Sequence, residues 1–124
     1  LFDGYTSSAL LINYLYNLFP YYVSNNVYYR VHTQKTHGII LDTIPEDTKL
    51  VIIPDAGSNQ YNEHKALYDK GIDILILDHH EVDKISPYAC TINNQLDNYP
   101  NKALSGVAIV YKFCNAIDEI INTN

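Results

Sequence analysis

Three stretches of this sequence place acids and imidazoles where chemistry could use them. Residues 74–82 read ILILDHHEV, so four aliphatic residues run straight into Asp78, His79 and His80. Residues 50–57 read LVIIPDAG and deliver Asp55 and Gly57 after a similar apolar run. The chain opens LFDG, with Asp3 and Gly4 in the same kind of position. Carboxylates mixed with imidazoles suit Mn²⁺, Zn²⁺ or Fe²⁺ better than Mg²⁺ or Ca²⁺, which favour oxygen alone. Several carboxylates at one edge repel one another unless a cation sits between them. Two cations roughly 3.5–4 Å apart can share a carboxylate and a water, lower the pKa of that water and neutralise charge on a phosphate. The chemistry implied is attack of water on phosphorus.

Such residues need rigid elements to bring them together. Residues 49–54, KLVIIP, and 72–77, IDILIL, are apolar without alternation, as strands buried on both faces of a parallel sheet are. Residues 88–93, YACTIN, read as a further short strand, and 27–32, VYYRVH, as another from their β-rich composition. Leu10, Leu11, Tyr14, Leu15 and Leu18 fall at helical spacing within 6–19, with Thr6 or Ser7 as cap and Pro20 as stop. Residues 59–70 predict a second helix ended by Gly71, and 103–121 an amphipathic third. Residues 36–47, THGIILDTIPED, read as a short helix or a buried link. With Asp3 and Gly4 at the end of a first strand, strands alternate with helices. That order predicts an α/β fold, a parallel sheet with helices on both faces in three layers, α/β/α. Ligands in such sheets bind beyond the carboxyl ends of the strands, where all three acidic clusters would stand.

The 124 residues suit one domain or part of one, and an apolar content of 47% is enough for a core. The net charge of −6 argues against a stand-alone nucleic-acid clamp, which would be basic. It does not argue against a site filled by cations. Cys90 and Cys114 are far apart and lack metal-ligand spacing, so a reduced, cytoplasmic chain is expected. No apolar run approaches the length of a membrane span. There is no Met, and the opening residues read as a strand entering a helix, so the chain is expected to be a piece of a longer protein.

The triplet Asp78-His79-His80, set after a hydrophobic strand, resembles the motif that names the DHH phosphoesterase family. FDGYTSSALL (2–11) resembles that family's first motif, and VIIPDAGSN (51–59) its second. INNQLDNYPNKALSGVAIVYKF (92–113) resembles the segment that follows the triplet in RecJ-like members. Four segments in order cover nearly the whole chain. The resemblance implies that Asp55 bridges two metals, that Asp3 and His79 bind one of them, and that His80 stands near the scissile phosphate. Asp78 joins this metal-binding set as the acid that orients the others more than as a sure ligand. Ser7 and the turn of Ser105 and Gly106 would offer phosphate-facing groups at helix starts. Asp55, His79 and His80 are the residues expected to carry catalysis.

The resemblance also implies a single DHH domain over 1–124, truncated at both ends and without its C-terminal substrate-binding domain. Its expected activity is Mn²⁺-dependent phosphodiester hydrolysis, with Mg²⁺ as a second choice, and single-stranded DNA as the leading substrate. Oligoribonucleotides, cyclic dinucleotides and other small nucleotides are the alternative, tilted towards by the acidic charge. The family's first motif carries an aspartate where Leu1 stands, and a later metal-binding aspartate has no counterpart here. A degenerate, non-catalytic binding domain is therefore the rival expectation, and the chain alone is expected to bind metal weakly.

Taken singly, these residues have plainer readings. Asp55 could close a turn, Asp3 could cap a helix, and His79 and His80 could lie on the surface. Their convergence favours the metal. His32 and His37, near Lys35, read as a solvated loop, and His64, between Glu63 and Lys65, as a surface residue. Arg30 and Lys102 could meet phosphate, and the tyrosines could stack on bases, although Tyr14 falls at core spacing.

Overall fold

Two runs of branched aliphatic residues make the centre of the molecule. Strand β1 is Leu50–Pro54 and strand β2 is Asp73–Asp78, paired in parallel with Ile53 opposite Ile76. A third parallel strand, β3 (Cys90–Asn93), pairs with β2 and sets Asn93 opposite Asp78. The sheet order is β1-β2-β3. The computed structural model describes residues 2–32 and 37–123.

The described residues form four helices, α1 (Phe2–Leu18), α2 (Pro20–Asn26), α3 (Tyr61–Asp69) and α4 (Gly106–Thr123); α1, α3 and α4 pack on the sheet and α2 packs on α1. Because side chains alternate along a strand, β2 is apolar on both sides. Ile74 and Ile76 pack with Ile53, Leu67 of α3 and Ile39. Leu75 and Leu77 pack on the opposite face with Leu11 of α1 and Ile109, Val110 and Cys114 of α4. Ile76 and Leu77 are both fully buried, each worth about 1.5–3 kcal/mol relative to an exposed side chain. The expected three-layer α/β/α arrangement is thus present.

The crossover from β1 to β2 is closed by Gly71. Its φ of +76° lets the Gly71 N–H reach Tyr68 O and the Ile72 N–H reach Leu67 O, at 2.9 and 3.1 Å, ending α3 in a Schellman turn. Only a residue at ease with positive φ fits there.

Three expectations about the elements need correction. Asp3 and Gly4 do not end a strand; they lie in the first turn of α1. Residues 27–32 form no strand ladder, because none of the described residues pairs with them; with the open edge of β1 they line a groove of about 780 Å³. Pro20 ends α1, but it also opens α2, which the sequence did not announce. The ambiguous link contains a single 3₁₀ turn, Leu41–Thr43. Leu1 and Lys35 lie outside the described residues. No helix among the described residues is long and apolar enough to cross a membrane. Cys90 is exposed, Cys114 is buried, and both are free thiols.

Candidate metal centre

Asp55 follows β1 in a left-handed conformation, φ +63°, which costs a non-glycine residue energy and persists only where neighbours enforce it. Its N–H donates to Leu77 O at 2.7 Å, tying the β1 end to the β2 end. Two positions on, Gly57 takes φ +98° and turns the chain towards α3.

The β2 end supplies the imidazoles. His79 Nε2 lies 3.0 Å from Asp55 Oδ1 and 3.6 Å from Asp3 Oδ2. Asp55, His79 and Asp3 therefore face one point from a strand end, a neighbouring strand end and a helix. Asp55 Oδ1 is buried and accepts no hydrogen bond. A buried oxygen lone pair facing a ring nitrogen without a hydrogen bond is what a cation would satisfy, and the mixed oxygen–nitrogen donor set fits a transition metal.

Asp3 has a second task. Its carboxylate accepts the Gly106 N–H at 2.8 Å and the Val107 N–H at 2.9 Å, capping the start of α4 from another helix. Ser105 Oγ caps the same end by accepting the Ala108 N–H at 3.3 Å. The Gly106 N–H, expected to face phosphate, is thus given to Asp3. Gly106 also abuts Asp55, and a Cβ there would overlap Asp55 Oδ1.

The two acids polarise each other. Burial, followed by the charge and hydrogen bond of Asp3, pushes Asp55 above the usual carboxylate range, against the pull of His79 and His80. Burial also works to raise Asp3, but the N–H groups of Val107 and Gly106, with Asp55 and His79, outweigh it and hold that carboxyl low.

Asp78 is almost wholly buried, and its oxygens are spent on hydrogen bonds. Oδ1 accepts the N–H groups of His79 and His80 at 2.8 and 3.4 Å and lies 2.6 Å from His80 Nδ1, while Oδ2 accepts the Ser58 N–H at 3.2 Å. Asp55, Asp78, His79 and His80 can offer ligand atoms within 4.8 Å of one another. Given those bonds, Asp78 acts there by holding the Asp55 loop and the His80 ring. His80 itself is exposed, its side chain 58% accessible, and its ring stands 4.4 Å from that of His79.

Ser7 lies further along α1, fully buried, with a hydroxyl that meets no hydrogen-bond partner, so it does not reach solvent. His32 Nε2 lies 2.7 Å from Gly38 O. His64 is the plainest correction: it is fully buried, with Nε2 2.8 Å from Gly57 O. Two further supports escaped the sequence. Asn93 donates to Ser58 Oγ and His80 O at 3.0 and 2.9 Å, and Gln95 donates to His79 O at 3.3 Å. Their signal was present in the polar run that ends β3, where amides replace the apolar residues of a strand. The signal for His64 was its three-residue offset from Leu67, the apolar face of α3.

An α/β sheet whose strand ends, with the first turn of α1, gather two carboxylates and a histidine, with the D-H-H triplet at the second strand end, defines a class. The chain belongs to the DHH family: residues 2–124 match the model of the DHH family, N-terminal domain. It is 52% identical over 123 residues to a prophage-derived protein of Bacillus subtilis (strain 168) that carries the name single-strand DNA-specific exonuclease YorK, and equally to the like-named protein of Bacillus phage SPbeta. The match takes in 98% of this chain and 21% of each relative, so the chain spans about a fifth of their length. No solved structure matches the chain.

Proposed function

We propose that this chain is the metal-binding catalytic domain of a RecJ-like phosphoesterase that cleaves single-stranded DNA in the context of a longer protein. One observation carries the reading: Asp55 Oδ1, buried and without a hydrogen bond, faces His79 Nε2 at 3.0 Å, with Asp3 Oδ2 beyond the same nitrogen at 3.6 Å. Asp3, Asp55 and His79 would hold a divalent cation, Mn²⁺ first among those that this donor set suits. When bound, the cation would acidify a water and draw charge from a phosphoryl oxygen.

The protein's own groups do the rest. Asp55 is fixed in its strained conformation by the Leu77 carbonyl, with its carboxylate facing His79 Nε2, where the two would hold a cation. Asp78 fixes the His80 ring, leaving the exposed face of that ring for a phosphate oxygen. Ser105, half-buried at the start of α4, borders the side on which a phosphate would lie. The names of the two relatives support DNA as substrate, and the net charge of −6 supports small nucleotides as a second reading.

The test is an activity panel on the full-length protein with Mn²⁺ and with Mg²⁺, comparing single-stranded DNA, short RNA, cyclic dinucleotides and pyrophosphate. Mn²⁺-dependent release of mononucleotides from single-stranded DNA is the expected result. Preference for a cyclic dinucleotide would establish the second reading, and silence on every substrate would leave a binding domain.

A further inference from the structure

His64 poses a problem that packing does not explain. It is completely buried on the inner face of α3, three residues before the equally buried Leu67. Nε2 lies 2.8 Å from Gly57 O, while Nδ1 is buried with no partner. A carbonyl oxygen can only accept, so Nε2 carries the proton and Nδ1 keeps a bare lone pair. Burial lowers the ring's pKa below the usual histidine value, against the pull of Gly57 and Glu63, so the ring is neutral. A leucine here would fill the space without stranding a polar atom, and stranding one costs stability. The retained ring needs a return, and its one hydrogen bond supplies it.

That bond lands on the loop that carries Asp55. The loop runs through two positive-φ residues, Asp55 at +63° and Gly57 at +98°. It is pinned at its start by the Asp55 N–H on Leu77 O and at its end by the Ser58 N–H on Asp78 Oδ2. Between these pins, Gly57 O holds the chain's middle, where it accepts the Gln60 N–H at 3.2 Å and the shorter bond from His64. Gln60 clamps the next turn by pairing its side-chain amide with both the N–H and the C=O of Ile39, at 2.6 and 3.0 Å. Strain at Asp55 persists only if such contacts over-determine the loop.

We propose that His64 is a positioning residue for Asp55: through Gly57 it holds the strained loop in the conformation that presents the Asp55 carboxylate to the cation. The proposal rests on the metal-centre reading above. Groups behind a ligand commonly set metal affinity by fixing the ligand's orientation.

The experiment measures Mn²⁺ binding to the full-length protein from the loss of the free Mn²⁺ paramagnetic resonance signal, alongside thermal unfolding in chelator. The proteins are wild type, His64→Leu, His64→Gln and Asp55→Ala. His64→Leu keeps the volume and loses the donor; it should weaken Mn²⁺ binding by about 10–100-fold while unfolding near the wild-type temperature. His64→Gln, whose amide N–H can reach Gly57 O, should bind close to wild type. If His64→Leu does not fold, His64→Asn, polar but a bond short of Gly57, is read in its place. Wild-type affinity in the leucine variant, or equal loss in the leucine and glutamine variants, overturns the proposal. Equal Mn²⁺ binding by wild type and Asp55→Ala would instead overturn the metal centre itself, so the two failures are distinguishable.

Discussion

Asp55 and Gly106 compete for one volume: a Cβ on Gly106 would overlap Asp55 Oδ1 and stand 2.6 Å from its Cγ. The absence of a side chain at the start of α4 is what admits the carboxylate. Alanine is the better helix former, so Gly106→Ala should not weaken α4 through propensity. The variant should instead displace Asp55 and lower metal-dependent turnover by ~100-fold, the scale of an ångström-sized misplacement. Steady-state rates on single-stranded DNA, with circular dichroism as a control for folding, check this. Wild-type turnover would show that Asp55 is free to retreat without consequence.

Removing ligands should separate two roles. Asp55→Ala should abolish Mn²⁺-dependent turnover, and His79→Ala should raise the Mn²⁺ concentration needed for half-maximal rate. A cation held only by the folded centre stabilises it by mass action, so on the proposed reading Mn²⁺ at a hundred times its dissociation constant should add about 2.7 kcal/mol of stability. Thermal unfolding with and without chelator reads that increment, which should vanish in Asp55→Ala.

The Asp78–His80 pair predicts a pH window. Burial works to raise Asp78, but hydrogen bonds from Ser58, His80 and His79 outweigh it and hold the acid low. His80 is raised, first by its hydrogen bond to Asp78. Stability from Asp78 is present above the unfolded carboxylate pKa and lost as pH falls through its depressed folded value. Stability from His80 is full below the unfolded histidine pKa and lost as pH rises through its raised folded value. Both contributions are complete together between roughly pH 4 and 6.5. Asp78→Asn should return the His80 titration towards the ordinary histidine range, as followed by imidazole proton resonances, and remove the pair's share of stability lost on the alkaline side. An unmoved His80 titration would count against the coupling.

Leu77 and Ile76 are adjacent, fully buried and on opposite faces of β2. Leu77→Ala should cost about 2–5 kcal/mol and Ile76→Val about 0.5–1.5 kcal/mol in urea unfolding. The larger loss should loosen α1 and α4, and with them Asp3.

The elements that were legible in the sequence are those whose burial is two-sided or periodic. Continuous apolar runs announced β1 and β2, and helical spacing announced α4, because burial on two faces or on one stripe leaves a direct mark on composition. Asp55 and the 78–80 triplet were legible because they follow such runs. Asp3 was placed at a strand end because an Asp-Gly pair serves a turn as readily as the first turn of a helix. Residues 27–32 have strand composition, but strand formation needs a partner, and composition does not supply one. His64 was misplaced because Glu63 and Lys65 beside it are exposed or nearly so, while a helix turns the residue between them inward. The capping of α4 by Asp3 had no local signal, since it joins residues more than a hundred positions apart.

That long-range cap orders events during synthesis. Asp3 leaves the ribosome about a hundred residues ahead of the amides that steady its carboxylate, at 106 and 107, which emerge only after β1, β2 and β3. A nascent chain therefore carries Asp55, His79 and His80 before Asp3 can be locked beside them. The candidate metal centre is therefore completed only once α4 begins to form.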